Sequence, residues 1–193
     1  MKLALFLSSA AAVFAFENSV FINLNSNDLE GGYEAISQIT KNTSGFFGVR
    51  AMQGDDKYDN MQTNASAHFK AVGLTPLEGV AVGLGVKAFG VWLNKEDKVL
   101  FAAPLGAAVI YSFPFAIQTS ISLSYDFAPT ALCFKNCARY TEARAEFSIE
   151  PIDGGMIFVG WRDMDFKIKY DGVVLKEKYE LNRSFYGGLR LSF

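Results

Sequence analysis

The stretch that decides the fold is Ser184-Phe185-Tyr186-Gly187-Gly188-Leu189-Arg190-Leu191-Ser192-Phe193. It alternates without a break. Phe185, Gly187, Leu189, Leu191 and Phe193 fall on one side, and Ser184, Tyr186, Gly188, Arg190 and Ser192 on the other. Strand side chains repeat every two residues, so this segment has one apolar face and one polar face that carries a charge. A chain end is ordinarily polar and frayed unless a sheet ties it down. An apolar, alternating end is therefore expected to be paired.

Working outward, the composition suits a protein with much apolar surface. Half of the 193 residues are hydrophobic, and 15% are aromatic, with 18 Phe against 2 Trp. Mean hydropathy is +0.15. Charged residues make up 20% and the net charge is −2, which removes the electrostatic case for nucleic-acid binding. The length allows one domain with a sizeable core. At the amino end, Lys2, the apolar run Leu3 to Val13 and the small-x-small triplet Val13-Phe14-Ala15 read as a secretory signal peptide over residues 1–15. A buried first helix or a membrane anchor is the alternative, but the run is shorter than the ~20 residues a spanning helix needs. Export through the Sec pathway follows, and the mature chain, 16–193, would carry 17 basic and 20 acidic residues, a net charge of −3.

The mature chain shows no repeat, low-complexity tract or linker, and its dominant period is two. Alternating segments run over Ser19–Asn27, Gly32–Thr40, Ser44–Gln53, Asn60–Ala71, Gly79–Trp92, Val99–Phe113, Phe115–Phe127, Arg139–Ile149, Gly155–Lys169 and the terminal strand. That is about ten strands, with eight as the alternative, each near the ~9–11 residues that a tilted strand needs to cross a bilayer. Their connections alternate in character. Lys41–Thr43, Gly73–Leu77, the bend at Pro114 and Pro151–Gly154 are tight. Asp28–Gly31, Gly54–Asp59, Asn94–Lys98, Ala128–Ala138 and Tyr170–Leu181 are longer or more charged. An antiparallel transmembrane β-barrel with both termini in the periplasm requires that alternation.

The faces agree. Aromatics sit near strand ends on the apolar faces (Trp92, Phe101, Tyr111, Phe113, Phe115, Tyr125, Phe127, Phe185 and Phe193), as expected for rings at the two interfaces of a bilayer. The polar faces carry mostly Ser, Asn, Gly and Gln, which suits a narrow lumen. One rival signal is the uncharged run from Val99, long enough for a transmembrane helix. Pro104, Pro114 and the clean alternation that resumes after Ala116 favour two strands and a turn.

With these features in place, the terminal segment resembles the last strand of bacterial outer-membrane barrels, where the final aromatic, here Phe193, is read by the assembly machinery. The chain as a whole resembles the YfaZ family of small Gram-negative outer-membrane proteins, best over Gly79 to Phe193. The resemblance rests on Gly79-Val80-Ala81-Val82-Gly83-Leu84-Gly85-Val86-Lys87-Ala88-Phe89, the loop Asn94-Lys95-Glu96-Asp97, the small-and-apolar strand that follows and the Gly-Leu-Arg-Leu-Ser-Phe end. The Cys pair and the Lys/Glu-rich Val173–Glu180 segment depart from it. What it implies is an outer-membrane location and a barrel, not an activity.

Candidate chemistry is sparse. His68, the single histidine, shares a strand face with Ser66. Residues i and i+2 stand too far apart for a firm hydrogen bond, so a lumen histidine is expected rather than a catalytic one. Glu142, Arg144 and Glu146 form a same-face charge ladder, which Arg50, Lys70, Lys87, Arg162 and Arg190 are expected to join inside the barrel. Confined charges persist when paired, so the ladder is read as a salt-bridged plug in preference to an ion-selecting constriction. Cys133 and Cys137 are read as a disulfide in an outside loop. Their rival, a metal site, lacks nearby His or further Cys ligands. Tyr170–Leu181 is expected to rise above the membrane as a hairpin.

The sequence thus predicts a non-enzymatic outer-membrane barrel with a structural, surface-interaction or narrow porin-like role. No cofactor or metal is expected. Lipid, the barrel assembly machinery and ions or small solutes are the expected partners. An outer-membrane lipid-modifying enzyme and a soluble periplasmic ligand-binding barrel are the alternatives, and the oligomeric state is left open.

Overall fold

The computed structural model describes residues 16–55, 61–93, 98–170 and 173–193. The expected signal peptide, 1–15, lies outside them, as do most of the Gly54–Asp59 and Asn94–Lys98 connections. The described chain is almost wholly strand: β1 (Phe16–Leu24), β2 (Asp28–Thr40), β3 (Thr43–Asp55), β4 (Met61–Leu74), β5 (Val80–Leu93), β6 (Lys98–Ala102), β7 (Leu105–Phe113), β8 (Gln118–Ala128), β9 (Cys133–Lys135), β10 (Cys137–Ile152), β11 (Gly155–Tyr170) and β12 (Val173–Ser192). A single 3-10 turn, Thr130–Leu132, stands between β8 and β9.

All twelve segments belong to one antiparallel sheet, and it closes through β4–β5. Two pairs of segments are single strands interrupted. β6 and β7 continue each other on the register of β5, with Phe89 opposite Ala102 and Val86 opposite Leu105. Ala103 and Pro104 part them; Pro104 brings no N–H to the ladder, and its carbonyl still accepts from the Lys87 amide at 3.0 Å. β8 and β9 are likewise separated by the 3-10 turn, whose Leu132 carbonyl accepts from the Ala103 amide at 2.8 Å. The result is a closed ten-stranded barrel.

The terminal segment does what its alternation requires. It pairs with β1 from Ser19 opposite Ser192 to Leu24 opposite Gly187. Beyond the last ladder pair, Phe193 and Asn18 exchange backbone hydrogen bonds of 2.8 and 3.2 Å. No strand edge is left at this seam. Closure also fixes what each face meets. Val20, Ile22 and Leu24 on β1, Val82, Leu84 and Val86 on β5, Ile121, Leu123 and Tyr125 on β8, Ile157 and Val159 on β11, and Phe185, Leu189 and Leu191 on β12 all point outward and are exposed. Soluble monomers rarely expose contiguous apolar patches beyond a few hundred Å². A barrel that wears apolar rows around its wall is built to sit in lipid. Two outward features mark the upper limit of that belt: the ring of Phe185, 79% exposed, and above it the ion pair Arg183–Asp163 at 3.0 Å.

Two sequence expectations change. The first outside connection is not Asp28–Gly31, because β2 already starts at Asp28. The Asn25 side-chain carbonyl accepts from the amides of Asn27 and Asp28, both at 2.7 Å, and so reverses the chain within residues 25–27. The polar lumen is also only half right, since the inward residues toward the longer connections are apolar. The uncharged run from Val99 forms strands, and among the described residues no helix is long and apolar enough to cross a membrane. The tight connections fall where expected. β2–β3, β4–β5, β7–β8 and β10–β11 turn tightly at one end, the last through Asp153-Gly154, where Gly154 takes φ +72° and its amide donates to Glu150 Oε1 at 2.8 Å. In the expected Tyr170–Leu181 hairpin the described residues are paired, with Lys169 opposite Val174 and Tyr170 opposite Val173, and residues 171 and 172 lie outside them.

Candidate functional site

Inside the barrel the side chains form two layers. Toward the longer connections lies an apolar cluster: Met52 from β3, Phe89, Val91 and Leu93 from β5, Leu100 and Ala102 from β6, Tyr140 from β10, Met164, Phe166 and Ile168 from β11, and Leu181 from β12, with Ala128 and Cys137. Its centre is a stack of three rings. Phe89 and Tyr140 lie 4.6 Å apart and Tyr140 and Phe166 4.7 Å apart, centroid to centroid. Gln62, fully buried, donates from Nε2 across the lumen to the Leu181 carbonyl at 2.6 Å.

Next to this layer runs a continuous chain of ion pairs. Arg162, with no exposed surface, donates to Asp28 Oδ1 at 2.7 Å, to Asn182 Oδ1 at 3.1 Å and to Glu30. Glu30 also accepts two bonds from Arg144, at 3.1 and 3.2 Å. Arg144 turns its Nε to Glu142, and Glu142 accepts in addition from Lys87 and from the Tyr140 hydroxyl. Lys87 finally lies 3.6 Å from Asp126. The chain passes from β2 to β11, back to β2, across to β10, then to β5 and β8, so it ties opposite walls rather than neighbours. Lys87 Nζ also stands 5.0 Å from the Phe89 ring centre, which joins the two layers.

A second group lies closer to the tight turns. Arg50 donates to Glu34 at 2.7 Å, and Arg190 stands 3.7 Å from both Glu34 and Glu146. The Tyr186 hydroxyl donates to Glu146 at 3.2 Å. Both guanidinium groups lie over the ring of Phe21, at 5.2 and 5.7 Å. Phe21 reaches that position because it crosses Gly32, where a Cβ would come within 2.5 Å of its ring. His68 is 7% exposed, with Nε2 3.7 Å from Glu34. It sits mid-strand inside the lumen, on β4.

All nine side chains of the expected charge cluster face inward. Arg50, Lys87, Glu142, Arg144, Glu146, Arg162 and Arg190 are ion-paired, and His68 lies beside Glu34. Lys70 lines the lumen, and among the described residues no carboxylate oxygen lies within 4 Å of it. Sequence reading missed Asp28, Glu30, Glu34 and Asp126. Glu30 was hidden by the supposed loop, whereas Asp126 was legible as the charged member of the inward Ser face of β8. Cys133 and Cys137 are joined in a disulfide, with Cα atoms 5.2 Å apart. On the tight-turn side of the ion pairs the lumen keeps a cavity of about 200 Å³.

Fold and lumen together define a membrane-spanning β-barrel whose interior is laced by ion pairs beneath an apolar layer. Among solved structures, the chain is similar to the outer-membrane expressed OmpT of Vibrio cholerae, at 9% identity and a TM-score of 0.40 over 86% of this chain. It is similar to the outer membrane channel DcaP of Acinetobacter baumannii, at 12% identity and a TM-score of 0.40 over 91% of this chain. A NanC porin aligns at 8% identity and a TM-score of 0.42, over 93% of this chain and 99% of the porin. The chain spans 56% of the first of these proteins and 62% of the second. No protein-family model and no curated protein matches it.

Proposed function

We propose that this protein is an outer-membrane β-barrel of the bacterial envelope, exported through the Sec pathway, with a structural or surface-interaction role and a lumen that does not conduct. The observation that carries the reading is the packed interior. The three-ring stack and its apolar neighbours cover one side of an ion-pair chain that binds opposite walls together. An open pore keeps a hydrated path along its axis. On this reading the path is interrupted twice, by apolar packing that disfavours water and by ion pairs that tie opposite walls together. Lipid is the partner of the outer face. Affiliation with the YfaZ family belongs to the same proposal, on the Gly79–Phe89 stretch that forms most of β5.

Phe193, with 73% of its surface exposed, is the residue we propose the assembly machinery reads. Phe193→Ser is expected to slow barrel assembly in cells while β1 and β12 still pair, because the ladder there is backbone. Normal assembly kinetics in that variant would refute the assignment. The test of the main reading is electrical. Purified barrel in planar bilayers is expected to give no steady single-channel current, and large, steady steps would overturn the closed lumen.

A further inference from the structure

The closed-lumen reading leaves the cavity on the tight-turn side of the ion pairs without a role. Its walls are not neutral. Arg50, Lys70, Lys87, Arg144 and Arg190 line it, against Glu34, Asp126, Glu142 and Glu146. The odd cation is Lys70, which among the described residues lacks a carboxylate within 4 Å. Its stem lies over Gly85, where a Cβ would meet Lys70 Cγ at 2.5 Å, so the backbone itself makes room for the side chain. Two more donors are unused. The Nε atoms of Arg50 and Arg190 are buried without a hydrogen-bond partner, although their terminal nitrogens are engaged with carboxylates. Ser120, Ser122, Ser124 and Ser148 also line the cavity, and the hydroxyls of Ser120 and Ser148 are 2.8 Å apart.

A cation without a close carboxylate and a hydroxyl wall around a small volume suit an oxyanion. We propose that this cavity binds a small free oxyanion, a phosphate or a short carboxylate, between Lys70 and the serine wall, with the side chains of Arg50 and Arg190 beside it. The anion enters from the tight-turn end, since the apolar layer closes the other. The inference does not depend on the lumen being non-conducting. A conducting barrel would overturn that reading and leave this one standing.

The test uses the full barrel, folded in non-ionic detergent and titrated calorimetrically with inorganic phosphate and, separately, with succinate. At least one of them is expected to bind saturably, one per barrel, and more weakly as sodium chloride is raised. Lys70→Met is expected to weaken binding at least about tenfold, the scale of one lost hydrogen bond to a charged group. Lys70→Arg should retain binding, and Lys41→Met, in a turn outside the lumen, should leave it unchanged. Heat-shifted gel mobility reports whether each variant is folded. Should Lys70→Met fail to fold, Ser122→Phe fills the cavity from the opposite wall and must abolish binding. No saturable heat with either anion, binding by Lys70→Met equal to the parent, or binding that survives Ser122→Phe would each overturn the proposal.

Discussion

The two halves of the lumen are built from the same strands and filled by opposite means. Toward the longer connections, β5, β6, β10 and β11 send in Phe89, Leu100, Tyr140 and Phe166, all nearly or fully buried. A few residues further along, the same β5 and β10 send in Lys87 and Glu142, and β11 sends in Arg162. Apolar packing excludes water by leaving no space for it and nothing for it to bond. Ion pairs tie distant walls but need geometry in every direction, and they leave a cavity where that geometry runs out. Under the proposed closed lumen, the two means divide the work between sealing the barrel and cross-bracing it. On this view the apolar half is the seal, and the ionic half holds the barrel's cross-section.

The strongest way to break that division is to wet the seal. Phe89→Ser with Phe166→Ser removes two of the three stacked rings and puts hydroxyls in their place. Each deletion is expected to cost at least what Phe→Ala costs, about 3–5 kcal/mol. The pair will not sum, because the rings share contacts through Tyr140. This variant should have the lowest unfolding midpoint in guanidinium of those described here. It is also the one expected to pass current in planar bilayers. A stable, silent double variant would show that the seal lies elsewhere.

The counterpart in the ionic half is Arg162→Ala. It leaves Asp28 buried without the Arg162 guanidinium, while Glu30 keeps its bonds to Arg144. Removing one member of a buried pair costs about 3–5 kcal/mol, mostly through the stranded charge. Stability should therefore fall, by one such step rather than two, while the barrel stays electrically silent because the rings remain. Current through this variant would mean that the ion pairs seal the lumen, and the division of labour would fail.

The unequal legibility of the two halves has a physical origin. The closing strand was readable because period two is a local property, and Arg190 had to lie on the face opposite Leu189 and Leu191. The same logic located Arg50, Lys87, Arg144 and Arg162 inside. The partners were harder to read, because Glu30 meets Arg144 and Arg162 only through barrel closure, at separations of 114 and 132 residues. The apolar seal was hidden for another reason. On β6 and β7 both faces are apolar, so alternation cannot tell lipid from lumen, and Leu100 looks like its outward neighbour Phe101. The first turn was missed because Asn25 reverses the chain through its own side chain, ahead of the charged Asp28–Gly31 stretch that reads as the connection.

The disulfide gives the finest division between the halves, because Cys137 belongs to the apolar cluster and Cys133 packs against it. Replacing both with Ala removes the covalent link but keeps small apolar side chains where the sulfurs stood. The closed ring is short, and loop-closure entropy for so few residues amounts to about 2 kcal/mol at most. Much of that is not expected to be realised. β9 is also held by its ladder to β6, with Phe101 opposite Phe134, and Asn136 keeps its carbonyl bond to the Lys169 amide at 2.8 Å. The double variant should therefore unfold at a midpoint only slightly below the parent's and remain electrically silent. If it instead opened the barrel to ions, the seal would depend on the covalent clamp at its rim and not on the packing of Phe89, Tyr140 and Phe166 beneath it.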